Sequence, residues 1–145
     1  MVKPETLEGL DAFTELVGAA RERVCSYLVA ARYQAGETVF EEGEPGMAAF
    51  FITSGSAQVS RRTERGTQKL LSRIRAGQML GEMALLDGGP RSARASSLGE
   101  TVVLVLTREE FNRLLADDPH AAALILKRIA RTLSLRLRQT NAMVS

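Results

Sequence analysis

Glycines divide the middle of the chain into short segments, and this pattern restricts the fold more than any other feature of the sequence. Such punctuation predicts many short strands joined by turns. The candidate strands are 38–41, 49–53, 57–61, 68–74, 93–97 and 101–106, and we expect an antiparallel β-roll or jelly-roll barrel over residues 35–107. The ten glycines in this region are Gly36, Gly43, Gly46, Gly55, Gly66, Gly77, Gly81, Gly88, Gly89 and Gly99.

Helical patterns flank this β region on both sides. Within residues 5–30, apolar side chains recur at spacings of three and four, and Gly18 is expected to divide the segment into two short helices. A first strand is expected to follow within residues 1–34. The expected class is therefore mainly β with flanking helices.

Two further helices are expected over residues 108–145. Thr107 is a candidate N-cap for the first of them, and residues 117–119 should end it. The second is expected from residue 119 to about residue 141. Leu124 and Leu135 lie off its main apolar stripe and leave a second apolar surface for a partner or a ligand. The stripe itself consists of Ala122, Leu126, Ile129, Leu133 and Leu137.

The composition fits one domain over residues 1–145. The 145 residues leave no room for a catalytic domain beside a regulatory one, and a composition of 45% hydrophobic and 25% charged residues suffices for one core. No apolar run reaches the roughly 18 to 20 residues that cross a bilayer, and the N-terminus lacks a signal peptide, so a cytoplasmic protein is expected. One cysteine, Cys25, and one histidine, His120, cannot supply a zinc site or a cupin-like metal centre. We therefore expect no enzyme activity, no metal and no catalytic residues.

The net charge of +2 is unevenly distributed. Residues 119–145 contain five basic and no acidic side chains. Such a tail can attract an anionic partner, but a solvated helix face is the commoner explanation. Arg61, Arg62 and Arg65 suit an exposed hairpin, and we interpret them as solubility residues. We expect no specific nucleic-acid binding.

The segment GEMALLDGGPRSARA, residues 81–95, is the most informative about function. Gly81 permits a close backbone approach, and residues 82–86 can form one helical turn. The free amides of this turn, near Met83 and Ala84, would then bind an anion.

Three polar side chains extend this site. Arg91 can add charge-assisted hydrogen bonds to a phosphate from the following strand, and Ser92 adds a hydroxyl. Glu82 accepts hydrogen bonds when ionised, so it suits a sugar hydroxyl and not the phosphate. An anion site beside an acceptor indicates a nucleotide.

This segment resembles the phosphate-binding cassette of cyclic nucleotide-binding domains. In that family the cassette begins with GE and a few apolar residues, and a short loop then leads to PR and a small residue. Upstream, the glycine-marked stretch 36–59 is similar to the family's strands, and residues 108–116 and the helix from 119 resemble its hinge and lid helices. The resemblance covers about residues 8–140.

The resemblance implies a role for each cassette residue. Arg91 would pair with the cyclic phosphate, Glu82 would accept from the ribose 2′-hydroxyl, and Gly81 with the Met83 and Ala84 amides would supply the backbone contacts. Ser92 would touch the phosphate or help to favour guanine, so both cAMP and cGMP are candidates, with cAMP favoured.

At Arg94 the sequence departs from the common version of the cassette, which has a small or apolar residue there. This arginine would either point into the pocket or lie along the outer surface.

The purine base would need an apolar floor and a lid. Leu71, Met79, Leu80 and Met83 are floor candidates, although each is also a candidate for ordinary core. For the lid we expect the pair Arg131 and Leu135 on the long helix, with Arg128 or Arg136 as replacements.

The resemblance implies a regulatory module that binds a cyclic purine nucleotide and signals through its C-terminal helices to a fused or docked effector. A homo-oligomer through the last helix is also expected. One alternative is a pseudo-receptor that keeps the fold and serves only for docking or dimerisation, which Glu82 and Arg91 argue against. Another is a transcription factor related to the catabolite activator family, which would need a DNA-reading segment beyond these residues.

Overall fold

The computed structural model describes residues 1–144, so that Ser145, the last residue of the expected domain, lies outside the described part. Eight strands form between N-terminal and C-terminal helices in this part. The strands are β1 (Val29–Tyr33), β2 (Thr38–Phe40), β3 (Ala48–Ser54), β4 (Ser56–Arg62), β5 (Gln68–Arg75), β6 (Met79–Leu80), β7 (Arg94–Ser97) and β8 (Thr101–Thr107). The helices are α1 (Gly18–Cys25), α2 (Arg108–Asp117) and α3 (Pro119–Val144), and 3₁₀ turns form at Pro4–Gly9, Asp11–Phe13 and Glu82–Leu85.

The strands form two four-stranded sheets with the orders β1-β8-β3-β6 and β2-β7-β4-β5. Every pairing between these strands is antiparallel. The predicted β-roll with flanking helices is therefore confirmed, in the form of two sheets and not one continuously bonded barrel.

Strand β3 lies between two cores because successive side chains of a strand point to opposite faces. Phe50 and Ile52 belong to the core between the two sheets, which also contains Phe40 and Ile74. Phe51 faces the other way, into the core that the sheet forms with the helices, where its ring lies 4.8 Å from that of Phe13.

The C-terminal helices begin as predicted. The Thr107 side chain accepts a hydrogen bond from the Glu110 N–H at 3.0 Å and caps α2. Asp118 ends α2, and its carboxylate accepts from the Ala121 N–H at 3.2 Å in the first turn of α3. Hydrogen bonds from the Arg23 guanidinium and the Ala121 amide lower the pKa of Asp118.

The packing face of α3 differs in part from the predicted stripe. Ala121 and Ile125 are fully buried beside the predicted Ala122 and Ile129. The distal stripe residue Leu137 is 61% exposed. The reason is that full burial ends at Ile129 and Leu133 is only partly buried against the core, so the stripe becomes solvated further along the helix.

The N-terminal segment departs from the predicted helices in residues 5–30. It forms two 3₁₀ turns and then α1, which starts at Gly18 with a φ of +56°. The chain leaves the helix after Cys25 and enters β1 at Val29, because residues 29–33 pair with β8. Strand β6 was not predicted, since two residues are too few to show a period.

Other sequence expectations are reproduced in this part of the chain. Cys25 is buried and His120 is exposed, and burial raises the pKa of the Cys25 thiol. None of the helices in residues 1–144 has both the length and the apolar character that crossing a membrane requires.

Candidate functional site

A cavity of about 460 Å³ lies between the 81–92 segment, the second sheet and α3. This volume is in the range of small-molecule sites. Eight residues predicted for the site border it, namely Met79, Leu80, Gly81, Glu82, Met83, Ala84, Arg91 and Ser92. The structure thus brings the cassette residues together around one cavity with an apolar and a charged side.

Arg91 is held in place by backbone carbonyls and an aromatic ring. Its Nη1 donates to the Gly81 carbonyl at 3.0 Å and its Nη2 to the Ala48 carbonyl at 2.7 Å. The guanidinium carbon lies 4.2 Å from the centre of the Phe40 ring. The Nε is buried and has no hydrogen-bond partner among the described residues. The arginine is therefore positioned by neutral groups and keeps its charge available for an anion.

The charge environment of Arg91 supports this interpretation. Burial lowers the pKa of Arg91, while the negative charges of Glu44 and Glu82 act in the opposite direction. An arginine stays protonated in proteins because its ordinary pKa lies far above neutrality. The site therefore presents a partly desolvated cation, which attracts an anion more strongly than a solvated one would.

Gly81 combines a positive φ with a close approach to this guanidinium. Its φ is +71°, a conformation that side chains disfavour. A Cβ at this position would lie 2.5 Å from the Arg91 Nη1. The glycine of the cassette thus serves both the turn and the placement of the arginine.

The long turn before β3 fixes the loop that carries Arg91 towards β7. The Arg91 N–H donates to the Glu44 carbonyl at 2.7 Å, and the Gly43 N–H donates to the Arg91 carbonyl at 2.8 Å. The Gly46 N–H donates to the Gly89 carbonyl at 3.0 Å, and a Cβ at Gly46 would lie 3.1 Å from the Ala84 Cβ, so a side chain there would have to displace its neighbours slightly. The glycines of this turn therefore position the cassette.

Glu82 is almost fully buried and is paired with the last helix. The residue is 5% exposed, and its Oε1 accepts from the Arg136 Nη1 at 2.8 Å. The same arginine reaches the Met79 carbonyl at 3.5 Å. A buried carboxylate needs such a partner, because an unpaired charge away from water is costly. The pair links the cassette directly to α3.

The helical turn of the cassette is a 3₁₀ turn, Glu82–Leu85, one residue shorter than expected. Of the two amides predicted to hold an anion, that of Ala84 already donates to the Gly81 carbonyl at 3.2 Å. An anion at this amide would have to share or replace that bond.

The apolar floor of the cavity comes partly from residues outside the predicted set. Val59, Ser72 and Ile74 line it together with Met79 and Leu80. Leu71 does not line it and is 50% exposed. The cause is a bulge: Val59 pairs with Ser72 and the next residue of β4 pairs with Leu70, which leaves Leu71 out of the ladder.

The structure distinguishes between the lid candidates. Arg136 lines the main cavity. Arg131 and Leu135 line a neighbouring cavity of about 290 Å³ instead, as does Arg128. The Arg128 Nε donates to the Asp11 carbonyl at 3.2 Å. Of the four, Arg136 is the one that contacts the cassette.

Arg94 lies on the outer surface of the second sheet. It forms an ion pair with Glu41 at 3.2 Å and donates to the Thr38 hydroxyl at 3.0 Å. Since Arg94 does not line the main cavity, the surface alternative fits the departure from the common cassette pattern.

Some site residues had no clear sequence signal. Phe40 supports Arg91 and the Ala48 carbonyl accepts from it, yet both lie more than forty residues before Arg91 in the chain. Ser72 would have been found only by locating the bulge in β5. Pairing across the sheets, which local patterns do not reveal, creates these contacts.

The comparisons with known proteins agree with this geometry. The model of the family "Cyclic nucleotide-binding domain" matches residues 30–118. The chain is 36% identical over 106 residues to a CRP-like cAMP-activated global transcriptional regulator of Mycobacterium tuberculosis, which covers 73% of this chain and 46% of that protein. It is also 36% identical over 109 residues to a cAMP-dependent protein kinase regulatory subunit of Aspergillus fumigatus, with 75% of this chain and 26% of that protein covered. Both names describe regulatory proteins, and the chain spans less than half the length of each.

The solved structures include a cyclic nucleotide-binding domain from Methylobacillus flagellatus. It superposes with a TM-score of 0.86 at 25% identity, and the match covers 97% of this chain and 83% of that one. Since the family model also matches more than half of the residues, the chain belongs to the cyclic nucleotide-binding domain family.

Proposed function

We propose that this chain binds a cyclic purine nucleotide, cAMP in preference to cGMP, and acts as a regulatory sensor module. The observation that carries the proposal is the half-buried Arg91 at the edge of the cavity, whose buried Nε has no hydrogen-bond partner among the described residues. A cyclic phosphate offers the single negative charge and the acceptor oxygens that match it. Binding of cAMP and of cGMP to the nucleotide-free protein tests the proposal. No cofactor other than this ligand belongs to it.

The second polar group of the site suits the ribose. Glu82 is buried, accepts hydrogen bonds and lines the same cavity as Arg91. We assign it to the 2′-hydroxyl, and we assign the phosphate to Arg91, Ser92 and the Met83 and Ala84 amides. The preference for cAMP rests on the names of the two relatives, since Ser92 also allows guanine.

Helix α3 is proposed to report whether nucleotide is bound. Arg136 reaches from this helix to Glu82, the same carboxylate that would accept from the ribose. A ligand hydroxyl at Glu82 changes the hydrogen bonds available to Arg136, so the ligand-bound and ligand-free states favour different helix positions. The contact gives occupancy a direct route to the C-terminal helices.

Replacing Arg136 with alanine is expected to uncouple helix movement from binding. Spin labels at Gln139→Cys on α3 and Ala30→Cys on β1, in a Cys25→Ala background, would report the separation of helix and sheet with and without cAMP. We expect a cAMP-dependent change in distance that Arg136→Ala strongly reduces. The matched control is Arg138→Ala, because Arg138 is exposed on the same helix. An equal change in both variants contradicts this role of Arg136.

The wider setting of the module is also part of the proposal. We propose that residues 1–145 form a single domain that serves a fused or docked effector. The half-exposed Leu135 and the more exposed Leu137 support self-association through α3. The chromatographic mass of the chain with and without nucleotide tests this.

A further inference from the structure

The β4–β5 hairpin is strongly positive in a chain whose net charge is only +2. Residues 56–75 contain six basic side chains and one acidic one, Glu64, which gives the hairpin a net charge of +5. The whole chain has a net charge of +2, so the remainder carries −3. The six basic residues are Arg61, Arg62, Arg65, Lys69, Arg73 and Arg75. The hairpin is therefore one of two strongly positive parts of the chain, the other being residues 119–145 with five basic and no acidic side chains.

These cations are exposed and largely unpaired. All six belong to exposed residues. Of these six cations, only Arg61 forms an ion pair with a residue in 1–144, a contact of 4.0 Å with Glu42. Internal salt bridges therefore do not account for the charge of the hairpin, which is available to an anionic partner.

Strand β5 also offers backbone hydrogen bonds. It is the last strand of its sheet, in the order β2-β7-β4-β5, and it is eight residues long. In the described part of the chain its ladder runs to β4 alone. The outer edge of such a strand presents N–H and C=O groups that an extended segment of another chain can pair with.

The apolar residues of β5 indicate what kind of partner fits. Leu70 and Leu71 are 48% and 50% exposed next to the cations. The hairpin has no aromatic side chain in residues 56–75 on which nucleic-acid bases could stack. Exposed leucines and a free strand edge suit a polypeptide, and the positive charge suits an acidic one. The same charge repels a second copy of the strand.

We propose that β5 binds an acidic, extended segment of a partner protein as an additional strand of its sheet. Arg73 and Arg75 are two residues apart, so their side chains lie on one face of the sheet. Carboxylates at every second position of the added strand would face them. Ser72 and Ile74 point to the cavity on the other face, so the docking edge and the nucleotide cavity share a strand.

The test uses a fluorescein-labelled peptide of eight residues, the length of β5, in which glutamate and valine alternate. Fluorescence anisotropy would measure its binding to the full chain at low and moderate salt. The double variant Arg73→Glu/Arg75→Glu is expected to weaken binding about fivefold or more, since it replaces attraction by repulsion. The variant Arg73→Gln/Arg75→Gln should also weaken peptide binding, because it removes the attraction. It replaces the first variant in the test if that variant does not fold.

Two controls separate strand addition from unspecific charge. Lys3→Glu/Arg138→Glu makes the same change in net charge at exposed positions outside the hairpin and should leave binding within about twofold. A peptide of equal charge with alternate backbone amides methylated should lose binding, because it cannot pair with the edge. The proposal is overturned if the unmodified peptide does not bind, or if Lys3→Glu/Arg138→Glu weakens binding as much as Arg73→Glu/Arg75→Glu does. It is also overturned if the methylated peptide binds as tightly as the unmodified one, or if a single-stranded oligonucleotide of equal charge does.

Discussion

Replacing Arg91 with alanine is expected to weaken cyclic nucleotide binding about ten- to hundredfold. Arg91 is the cation whose Nε is buried without a partner beside the cavity, and charge-assisted hydrogen bonds contribute roughly 1.5 to 3 kcal/mol. The loss should be similar for cAMP and cGMP, because both carry the same cyclic phosphate. Calorimetric titration of nucleotide-free protein would measure it.

Arg94→Ala is the matched control for this variant. Both arginines lie in the same segment, but Arg94 is held on the outer surface by Glu41 and Thr38. We expect its removal to leave nucleotide affinity unchanged. Equal affinity in wild type and Arg91→Ala would exclude Arg91 as the phosphate ligand, and an equal loss in both variants would indicate a general effect of positive charge.

Replacing Glu82 with alanine is expected to weaken cAMP binding about tenfold or more and to remove discrimination against 2′-deoxy-cAMP. Glu82 is a buried acceptor beside the cavity, and a hydrogen bond to a charged group contributes roughly 1.5 to 3 kcal/mol. The wild type should therefore prefer cAMP to its 2′-deoxy form, while the variant should bind both equally. Titrations of the wild type and of Glu82→Ala, each with cAMP and with 2′-deoxy-cAMP, measure this difference.

Asp87→Asn controls for the loss of a carboxylate near the cavity. Asp87 also lines it, but its Oδ1 accepts from the Gly89 N–H at 2.9 Å and holds the loop. This variant should keep the preference for the 2′-hydroxyl. If Glu82→Ala discriminates against the deoxy ligand as strongly as wild type, the ribose contacts another group.

Local chemistry made much of the fold predictable. Gly81 and Gly43 mark turns that require a positive φ, and Thr107 caps a helix with its own hydroxyl. Such features depend only on residues that are close in sequence. The turns and the helix that they mark therefore lie close to their predicted bounds. The first strand is expected within residues 1–34, but the sequence does not give its bounds because Tyr27 and Leu28 continue a helical spacing up to Val29.

The candidate site was predictable where its residues are contiguous. The sequence predicts the cassette as one segment, residues 81–95, and the six ligand-binding candidates within it all line one cavity. Leu71 was selected over Ser72 because the bulge in β5 shifts the alternation by one residue. Among the helix candidates, the geometry favours Arg136 over the pair Arg131 and Leu135, since the helical period alone does not fix how far along α3 the cavity lies.

The measurement that tests the central claim most directly is thermal unfolding of the nucleotide-free chain with and without cAMP and cGMP. Protein must first be freed of nucleotide carried through purification, which would hide the effect. A ligand at a hundred times its dissociation constant adds about 2.7 kcal/mol of stability, which corresponds to a rise of roughly 5 to 11 °C in the unfolding temperature. We predict such a rise with cAMP, a smaller one with cGMP at the same concentration, and its loss in Arg91→Ala. An unfolding temperature that neither nucleotide changes in the wild type would contradict nucleotide binding and favour a module that only docks.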